Sequence, residues 1–200
     1  MENVGKFIIS VIKLLMLMGY CWLIYKKKIS PSIAMWVFFT LAVLISLTTY
    51  LSVGNYSLLD NILNTTDLIL VVSVTIIIFF LGDKTTKFNR FDIGCLVGVL
   101  IIIIFWIITK NHFMSHLLIQ LIMIIAYFPV INRMLKHKKN TEPFLMWIGI
   151  LITSIISLFV SSGTLAFIYA IRAIICTGTL LILMVILEIK YKNKEAESIS

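Results

Sequence analysis

Charged residues are scarce in this sequence. Lys, Arg, Asp and Glu make up only 13% of the 200 residues, whereas 60% are apolar. The mean hydropathy is +1.07. A soluble domain of this length cannot bury that much apolar surface in one core, so the composition argues against a soluble protein. Apolar runs long enough to cross a hydrocarbon core of about 30 Å recur along the chain, and they predict an integral membrane protein.

The apolar runs also lack the alternation of apolar and polar residues that a membrane β-barrel requires. Backbone hydrogen bonding in lipid then requires helices, and short loops make sequential helices antiparallel neighbours. We therefore predict an all-α integral membrane fold with seven transmembrane helices, at residues 7–25, 32–52, 65–82, 93–109, 115–132, 144–162 and 166–188.

The sequence also has few cysteines and lacks the common catalytic motifs. Cys21, Cys95 and Cys176 all lie within apolar runs and lack the spacing of metal ligands. The sequence has no zinc-protease motif, no nucleophile elbow and no phosphate-binding loop. His112 and His116 are four residues apart, but no third ligand accompanies them. We predict no catalytic residue, no metal site and no cofactor, and hence a protein that is not an enzyme.

Acidic residues are few, nine against 17 Lys and Arg, which gives a net charge of +8. The basic residues lie at the ends of apolar runs, so membrane topology explains them better than a nucleic-acid partner does. In the seven-span arrangement, 13 of the 17 lie in loops and a tail on one side, and only Lys6 and Lys110 lie on the other. This split predicts a multi-pass protein of the cell membrane with its N-terminus outside and its C-terminus in the cytoplasm.

Two stretches resemble one another: "GYCWLIYKKKISPSIAMW" at 19–36 and "AYFPVINRMLKHKKNTEPFLMW" at 126–147. A shift of 107 residues places Tyr20 on Tyr127, and a shift of 111 places Trp36 on Trp147. We interpret this as an internal duplication, in which three helices, one linker helix and three further helices form parallel triple-helix-bundle repeats.

The duplication predicts four segments. They are a first triple-helix repeat at 1–83, a linker with an inversion helix at 84–112, a second triple-helix repeat at 113–189 and a cytoplasmic tail at 190–200.

The segment "YFPVINRMLKHKKNTEP" at 127–143, together with this three-one-three plan, resembles the PQ-loop/SWEET-like superfamily of small-solute transporters. Pro129 holds the proline position of that motif and Thr141-Glu142 its Thr-Glu position, while Val130 stands where Gln would be and Trp22 replaces the first-half proline. The resemblance implies a pocket between the triplets that the two ends of the bundle close alternately, without ATP hydrolysis.

Four polar residues lie inside predicted spans, each near the outer end: Lys13, Asp67, Gln120 and Arg172. A charge in the membrane costs about 2.5–3.5 kcal/mol on insertion scales, so it normally faces the bundle interior. Lys13 and Gln120 are 107 residues apart, and Asp67 and Arg172 are 105 apart, so the four occupy equivalent positions in the two halves. We name them as candidate contacts for a small polar solute.

Each has a structural alternative. Asp67 and Arg172 are expected to face each other across a central cavity, within reach of one solute or as an ion pair joining helices 3 and 7. The resemblance places Asn at these two positions, and charge there argues against simple sugar recognition. Lys13 can instead extend its ammonium group to the outer headgroups, and Gln120 can join helices by a hydrogen bond.

Five further residues are candidates. Ser46 and Ser157 are equivalent under the 111-residue shift and are predicted to line the pocket, unless they bond their own backbone. Trp36 and Trp147 form either an interfacial aromatic belt or an inner gate. Pro129 removes a helical hydrogen bond, which predicts a kink and a candidate hinge.

Two functions remain open at this level. One is a secondary transporter or facilitator of a small polar solute, working by alternating access between the triplets. The other is a non-transporting membrane interaction or scaffold protein that retains the same fold. The expected partners are the solute and the lipid bilayer, and the sequence leaves homo-oligomerisation open.

Overall fold

The computed structural model describes residues 2–29, 33–81, 90–138, 140 and 142–199. The side chains at 34, 35, 92, 129, 132, 133, 137 and 191–199 are outside this description. Within it, the chain is helical and has no strand. The first half holds α1 (Glu2–Tyr25), α2 (Ile33–Leu51), a 3-10 helix (Leu58–Asn61) and α3 (Ile62–Leu81). The second half holds α4 (Arg90–Thr109), α5 (His112–Ile125), α6 (Phe128–His137), α7 (Phe144–Val160) and α8 (Thr164–Ile199).

Three stretches of helix in the described part of the chain are long and apolar enough to cross a membrane. They are Glu2–Tyr25, Leu58–Leu81 and Thr164–Lys190. Four shorter apolar helices accompany them, at Trp36–Leu51, Ile93–Thr109, His112–Ile125 and Phe144–Val160. The all-helical fold and the membrane character expected from the composition are therefore both found. The predicted boundary between residues 83 and 84, with Lys84 and Lys87, lies outside the described residues.

The predicted span 115–132 is not one continuous helix. It divides into α5 and α6 at a turn formed by Ala126 and Tyr127. Pro129 lies in the first turn of α6. A proline inside a helix removes one backbone hydrogen bond and collides with the carbonyl of the preceding turn, whereas it is tolerated in the first helical turn. The kink expected at Pro129 is thus a break between two helices.

The last helix extends well beyond the apolar run that predicted it. The predicted span ends at residue 188, but the backbone of α8 continues as far as Ile199. Its C-terminal part is rich in Lys and Glu, which are good helix formers in water. Hydropathy marks where the apolar surface ends, and helix propensity decides where the helix ends.

Neighbouring helices pack in a simple pattern. Helix α1 packs against α3 and α7, and α2 packs against α3 and α5. Helix α8 packs against α7 and, less extensively, against α5. The linker α4 lies beside α2 and α5. The pairs α1–α3 and α5–α8 run parallel, because successive contacts advance along both chains together: Lys6 with Asp60 and then Lys13 with Asp67, and Gln120 with Arg172 and then Tyr127 with Thr177.

Two glycines allow α1 and α7 to approach closely. A Cβ atom added at Gly149 would lie 2.6 Å from the sulfur of Met16, and one added at Gly5 would lie 2.6 Å from a methyl carbon of Val160. Small residues at helix interfaces are the usual means by which membrane helices gain van der Waals contact. These two contacts, one near each end of α7, fix an antiparallel α1–α7 seam.

The two ends of the bundle are distinguished by their loops. We call the end with residues 52–61 and 161–163 the upper end, and the end where α1 and α6 finish and α2 and α7 begin the lower end. At the upper end, the Tyr50 hydroxyl donates to the carbonyl oxygen of Ser162 at 2.8 Å. The amide of Ser162 donates to the carbonyl of Asp60 at 2.7 Å. Loop 161–163 is thereby attached to the first half of the chain.

Candidate functional site

A buried ion pair joins α1 to α3. The ammonium nitrogen of Lys13 lies 2.5 Å from one carboxylate oxygen of Asp67, and the two side chains are 3% and 19% exposed. Lys13 therefore does not extend to the headgroup region, which was the alternative for this residue. Within the bundle a lone charge would be costly, and each of these two charges offsets the other.

The second oxygen of Asp67 is bound from α8. It accepts a hydrogen bond of 2.9 Å from the hydroxyl of Tyr169. One turn later on α8, the guanidinium carbon of Arg172 lies 4.7 Å from the centre of the Tyr169 ring, as a cation–π contact. Tyr169 thus contacts both charged groups, with its hydroxyl on the carboxylate and its ring face on the guanidinium.

The expected direct ion pair between Asp67 and Arg172 is not formed. Asp67 pairs with Lys13, and Arg172 donates from Nε to the side-chain oxygen of Gln120 at 3.0 Å. Both charged residues still belong to one connected set of polar groups, because Tyr169 links them. Asp67 thus has a different partner from the expected one, and the candidates Lys13, Asp67, Gln120 and Arg172 lie in one connected set of contacts.

Gln120 connects α8 to α2. Its amide nitrogen donates to the hydroxyl of Ser46 at 2.9 Å and lies 3.2 Å from Nε2 of His116. Because Arg172 has only donors, it fixes the orientation of the Gln120 amide with the oxygen toward α8. Gln120 forms the interhelical hydrogen bond that was one of its two expected roles.

His116 completes the network on the α2 side. Its Nδ1 lies 3.1 Å from the carbonyl oxygen of Ser46 and 3.1 Å from the hydroxyl of Thr49. A carbonyl oxygen can only accept, which places the proton on Nδ1 and leaves Nε2 to accept from Gln120. The side-chain amide of Asn64, on α3, also lies 2.9 Å from the Ser46 hydroxyl.

The remaining candidates lie outside this network. Ser157 is buried, but its hydroxyl lies 2.8 Å from that of Ser161, one turn along α7. Trp36 and Trp147 lie toward the lower end, and the side chain of Pro129 is outside the described part of the chain. His112 accepts a hydrogen bond from the Trp106 indole at 2.6 Å, so it and His116 have separate partners.

Sequence reasoning missed Tyr169, His116, Asn64 and Thr49 as members of the network. Their spacing in the sequence could have identified them. Each lies three or four residues from a candidate that was named, on the same helix: Tyr169 before Arg172, His116 before Gln120, Asn64 before Asp67 and Thr49 after Ser46. Residues at that spacing share a helix face, so the polar face of each helix was visible in the sequence.

The formal charges of the network do not cancel. Lys13 and Asp67 neutralise each other, and Arg172, which is 7% exposed, adds a further positive charge. Among the described residues the ion pairs are Lys6–Glu2, Lys6–Asp60 and Lys13–Asp67, and none includes Arg172. The polar partners of Arg172 are neutral, namely Gln120 and the Tyr169 ring.

Two aromatic contacts occupy equivalent places toward the lower end. The rings of Tyr20 and Trp36 are 5.1 Å apart at an angle of 51°, and those of Tyr127 and Trp147 are 5.7 Å apart at 55°. Both indole nitrogens are buried and have no hydrogen-bond partner in the described structure. A tryptophan in an interfacial belt normally directs this N–H toward water or headgroups, and here neither does so.

A groove of about 340 Å³ separates α5 from α8. Gln120 and Arg172 line it together with seven apolar side chains: Leu117, Leu121, Ile124, Phe167, Ile168, Ile171 and Ile175. Leu121, Ile124, Phe167 and Ile175 are exposed on the outside of the bundle. On apolar helices this is the surface that faces lipid, so the groove opens sideways, and Arg172 is the one charged residue among the nine that line it.

No protein-family model, no curated protein and no solved structure matches the chain. The fold and site therefore define its class: in the part of the chain that the structure describes, it is an all-helical protein with three helices long and apolar enough to span a membrane. Among these helices and their neighbours lies a buried polar network that connects five of them.

Proposed function

We propose that the protein is a secondary transporter or facilitator of a small polar solute, working by alternating access between two helix triplets. The first triplet is α1, α2 and α3. The second is α5 with α6, then α7 and α8, and α4 links the two. In this arrangement the chain crosses the membrane seven times, with the upper end outside and the lower end in the cytoplasm.

Helix lengths support seven crossings. At 1.5 Å per residue, α2, α4 and α7 are about 26–30 Å long, close to the hydrocarbon thickness of about 30 Å. Helix α5 alone is about 21 Å long, and α6 continues the chain toward the lower end. Together with the three long helices, these segments provide seven crossings.

The packing pattern supports a parallel duplication. A twofold axis along the membrane normal would exchange α1 with α5, α2 with α7 and α3 with α8. It would convert the α1–α7 contact into the α5–α2 contact, and both are extensive in the structure. It would also convert α1–α3 into α5–α8 and α2–α3 into α7–α8, and these pairs are in contact too. Parallel repeats of this kind occur among transporters.

Side-chain contacts repeat under the same relation. The Tyr20–Trp36 contact corresponds to the Tyr127–Trp147 contact. The contact between Lys13 and Asp67 corresponds to that between Gln120 and Arg172, and each joins the first helix of a triplet to its third. Chance matches in an apolar sequence do not explain why aligned residues also form the same contacts.

The observation that carries the proposal is the position of the polar network. Its bonds cross between the proposed triplets from Asp67 to Tyr169 and from Ser46 to Gln120, and His116 adds further contacts with α2. Buried ionisable groups at a repeat interface are where transporters bind their solutes, near the middle of the membrane. A solute that enters between the triplets can exchange its own polar groups for these cross-triplet bonds.

The lower end supports a second conformation. Each buried, unpartnered indole N–H of Trp36 and Trp147 costs about 1–3 kcal/mol. Such groups call for an explanation, and one is that they gain partners in another state of the molecule. If the lower end opens, water reaches both indoles at once, so the two tryptophans fit an inner gate.

A reversible cross-link tests the proposal. Asp60 and Ser162 are joined by a backbone hydrogen bond of 2.7 Å across the proposed triplet boundary. Cysteines at both positions, in a variant whose Cys21, Cys95 and Cys176 are replaced by Ala, would hold the upper end closed when oxidised. The reduced protein in liposomes should accumulate one class of solute from a mixture of sugars, amino acids, vitamin precursors and organic anions. The oxidised protein should not.

A static scaffold is the second candidate, and the completeness of the Gln120 hydrogen bonds favours it. Both the oxygen and the nitrogen of this side-chain amide have hydrogen-bond partners, as is usual for a polar group in a rigid core. If the reduced and oxidised proteins accumulate no more solute than empty liposomes, the scaffold is the better account.

A further inference from the structure

We propose that the groove between α5 and α8 binds an organic monoanion with a single short alkyl chain, whose charged group contacts Arg172. This inference concerns a ligand site between two helices of the second triplet, apart from the triplet interface where the proposed function places its solute, and it does not rest on that function. Three features carry it: the charge of Arg172, which lines the groove, the free donors of its guanidinium group and the apolar walls.

The charge of Arg172 has no counter-ion in the described structure. The guanidinium of Arg172 is held through Nε by Gln120 and through its face by Tyr169, which leaves its two terminal nitrogens without a hydrogen-bond partner among the described residues. Those nitrogens form the planar pair of donors that binds carboxylate and related oxyanions in a bidentate manner. An anion in the groove would pair with Arg172 through these two nitrogens.

The depth of Arg172 in the bundle makes its unpaired charge costly when no ligand is bound. Gln120 and Arg172 both lie eight residues after the first residues of their parallel helices, which is about 12 Å along each helix. A cation at that depth in a bilayer normally pairs with another charge or marks a substrate pathway. Asp67 is the nearest candidate on α3, but Lys13 already neutralises it. A bound anion would give the network a net charge of zero.

The walls determine the rest of the ligand. Seven of the nine lining residues are apolar, and the outer ones continue into the lipid-facing surface of the two helices. A sugar or an amino acid would leave its polar groups unsatisfied against these walls. An alkyl chain suits them. At about 340 Å³ the groove has the size of a small-molecule site and is far too small for a two-chain phospholipid.

The test measures equilibrium binding of tritiated octanesulfonate to the full-length protein in nanodiscs of zwitterionic lipid. A sulfonate stays ionised at every accessible pH, so it does not cross or enter the bilayer as a neutral acid. We expect saturable binding that octyltrimethylammonium, a cation with the same chain, does not compete away. Equal competition by the cation would overturn the assignment, because the charge would then not matter.

Two pairs of variants locate the site. Arg172→Gln should weaken octanesulfonate binding at least tenfold, and Arg172→Lys, which keeps the charge, should weaken it less. Ile175→Trp should fill the groove and abolish binding. Ile182→Trp is its matched control, since Ile175 and Ile182 are 62% and 64% exposed on the same helix but only Ile175 lines the groove. If Ile175→Trp binds as the unaltered protein does, the site is not this groove, whatever the Arg172 variants show.

The remaining outcomes separate this inference from the proposed function. If octanesulfonate binds but the protein with reduced cysteines at positions 60 and 162 takes up no solute, the anion site stands and transport is contradicted. Uptake of another solute without octanesulfonate binding would support transport and overturn the anion site. Loss of binding when the nanodisc lipid is replaced by phosphatidylglycerol would show that a bilayer lipid is the occupant, which also overturns the proposal.

Discussion

The ammonium group of Lys13 lies 2.5 Å from the carboxylate of Asp67, and this contact makes the two residues one electrostatic unit. Removing one partner leaves the other charge buried with nothing to offset its desolvation, which typically costs about 3–5 kcal/mol. We expect Lys13→Gln and Asp67→Asn each to lower the free energy of unfolding by about that amount. The double variant should be more stable than either single variant. Unfolding in lipid–detergent mixtures measures all four proteins, and additive effects would show that the pair is not a unit.

Replacing Arg172 should have a smaller effect on the free energy of unfolding, because no charged partner would be left unpaired. Arg172→Gln removes an unpaired buried cation and leaves Gln120 with an amide donor close to its oxygen. We expect the free energy of unfolding to change by about 1 kcal/mol or less, which is the net value of one neutral hydrogen bond. The same unfolding measurement checks this. A loss as large as that of Lys13→Gln would mean that Asp67 depends on Arg172 for its charge balance after all.

The α1–α7 seam gives a prediction about packing. Gly149→Val introduces a side chain where a Cβ atom already lies 2.6 Å from the sulfur of Met16, so Met16 must move. Overpacking of this kind costs about 1–3 kcal/mol. Gly178→Val is the matched control, because a Cβ atom there meets nothing within 4 Å and the change in helix propensity is the same. Equal melting temperatures for the two variants in nanodiscs would contradict the seam.

The predicted topology can be checked without purification. Reporter fusions at Lys87, Lys110 and Lys138 should read cytoplasm, outside and cytoplasm, because the loops holding Lys87 and Lys138 belong to the basic side of the protein. The fusion at Lys110 is the decisive one. A cytoplasmic reading there would mean that α4 does not cross the membrane, and the parallel relation between the triplets would fail with it.

The sequence predicted the helices better than it predicted their partners. Apolar runs located the apolar part of every long helix, since burial in lipid demands a continuous apolar surface, but they did not locate the charged end of α8. The break before Pro129 followed from the missing N–H of proline. The partner of Asp67 did not follow, because Lys13, Gln120 and Arg172 lie at similar depth and any of them could reach it. That choice depends on how each helix is rotated about its axis, which packing of the whole bundle decides.

The central claim is that two helix triplets move relative to one another. Spin labels at Tyr25 and Leu145, which are exposed at the lower end of different triplets, report that motion as a distance distribution. Labels at Tyr25 and Phe79, both in the first triplet, provide the control. We predict two distance populations for the first pair and a single population for the second. A single narrow population for both pairs, unchanged by octanesulfonate or by the solute mixture, would contradict alternating access and identify a static scaffold.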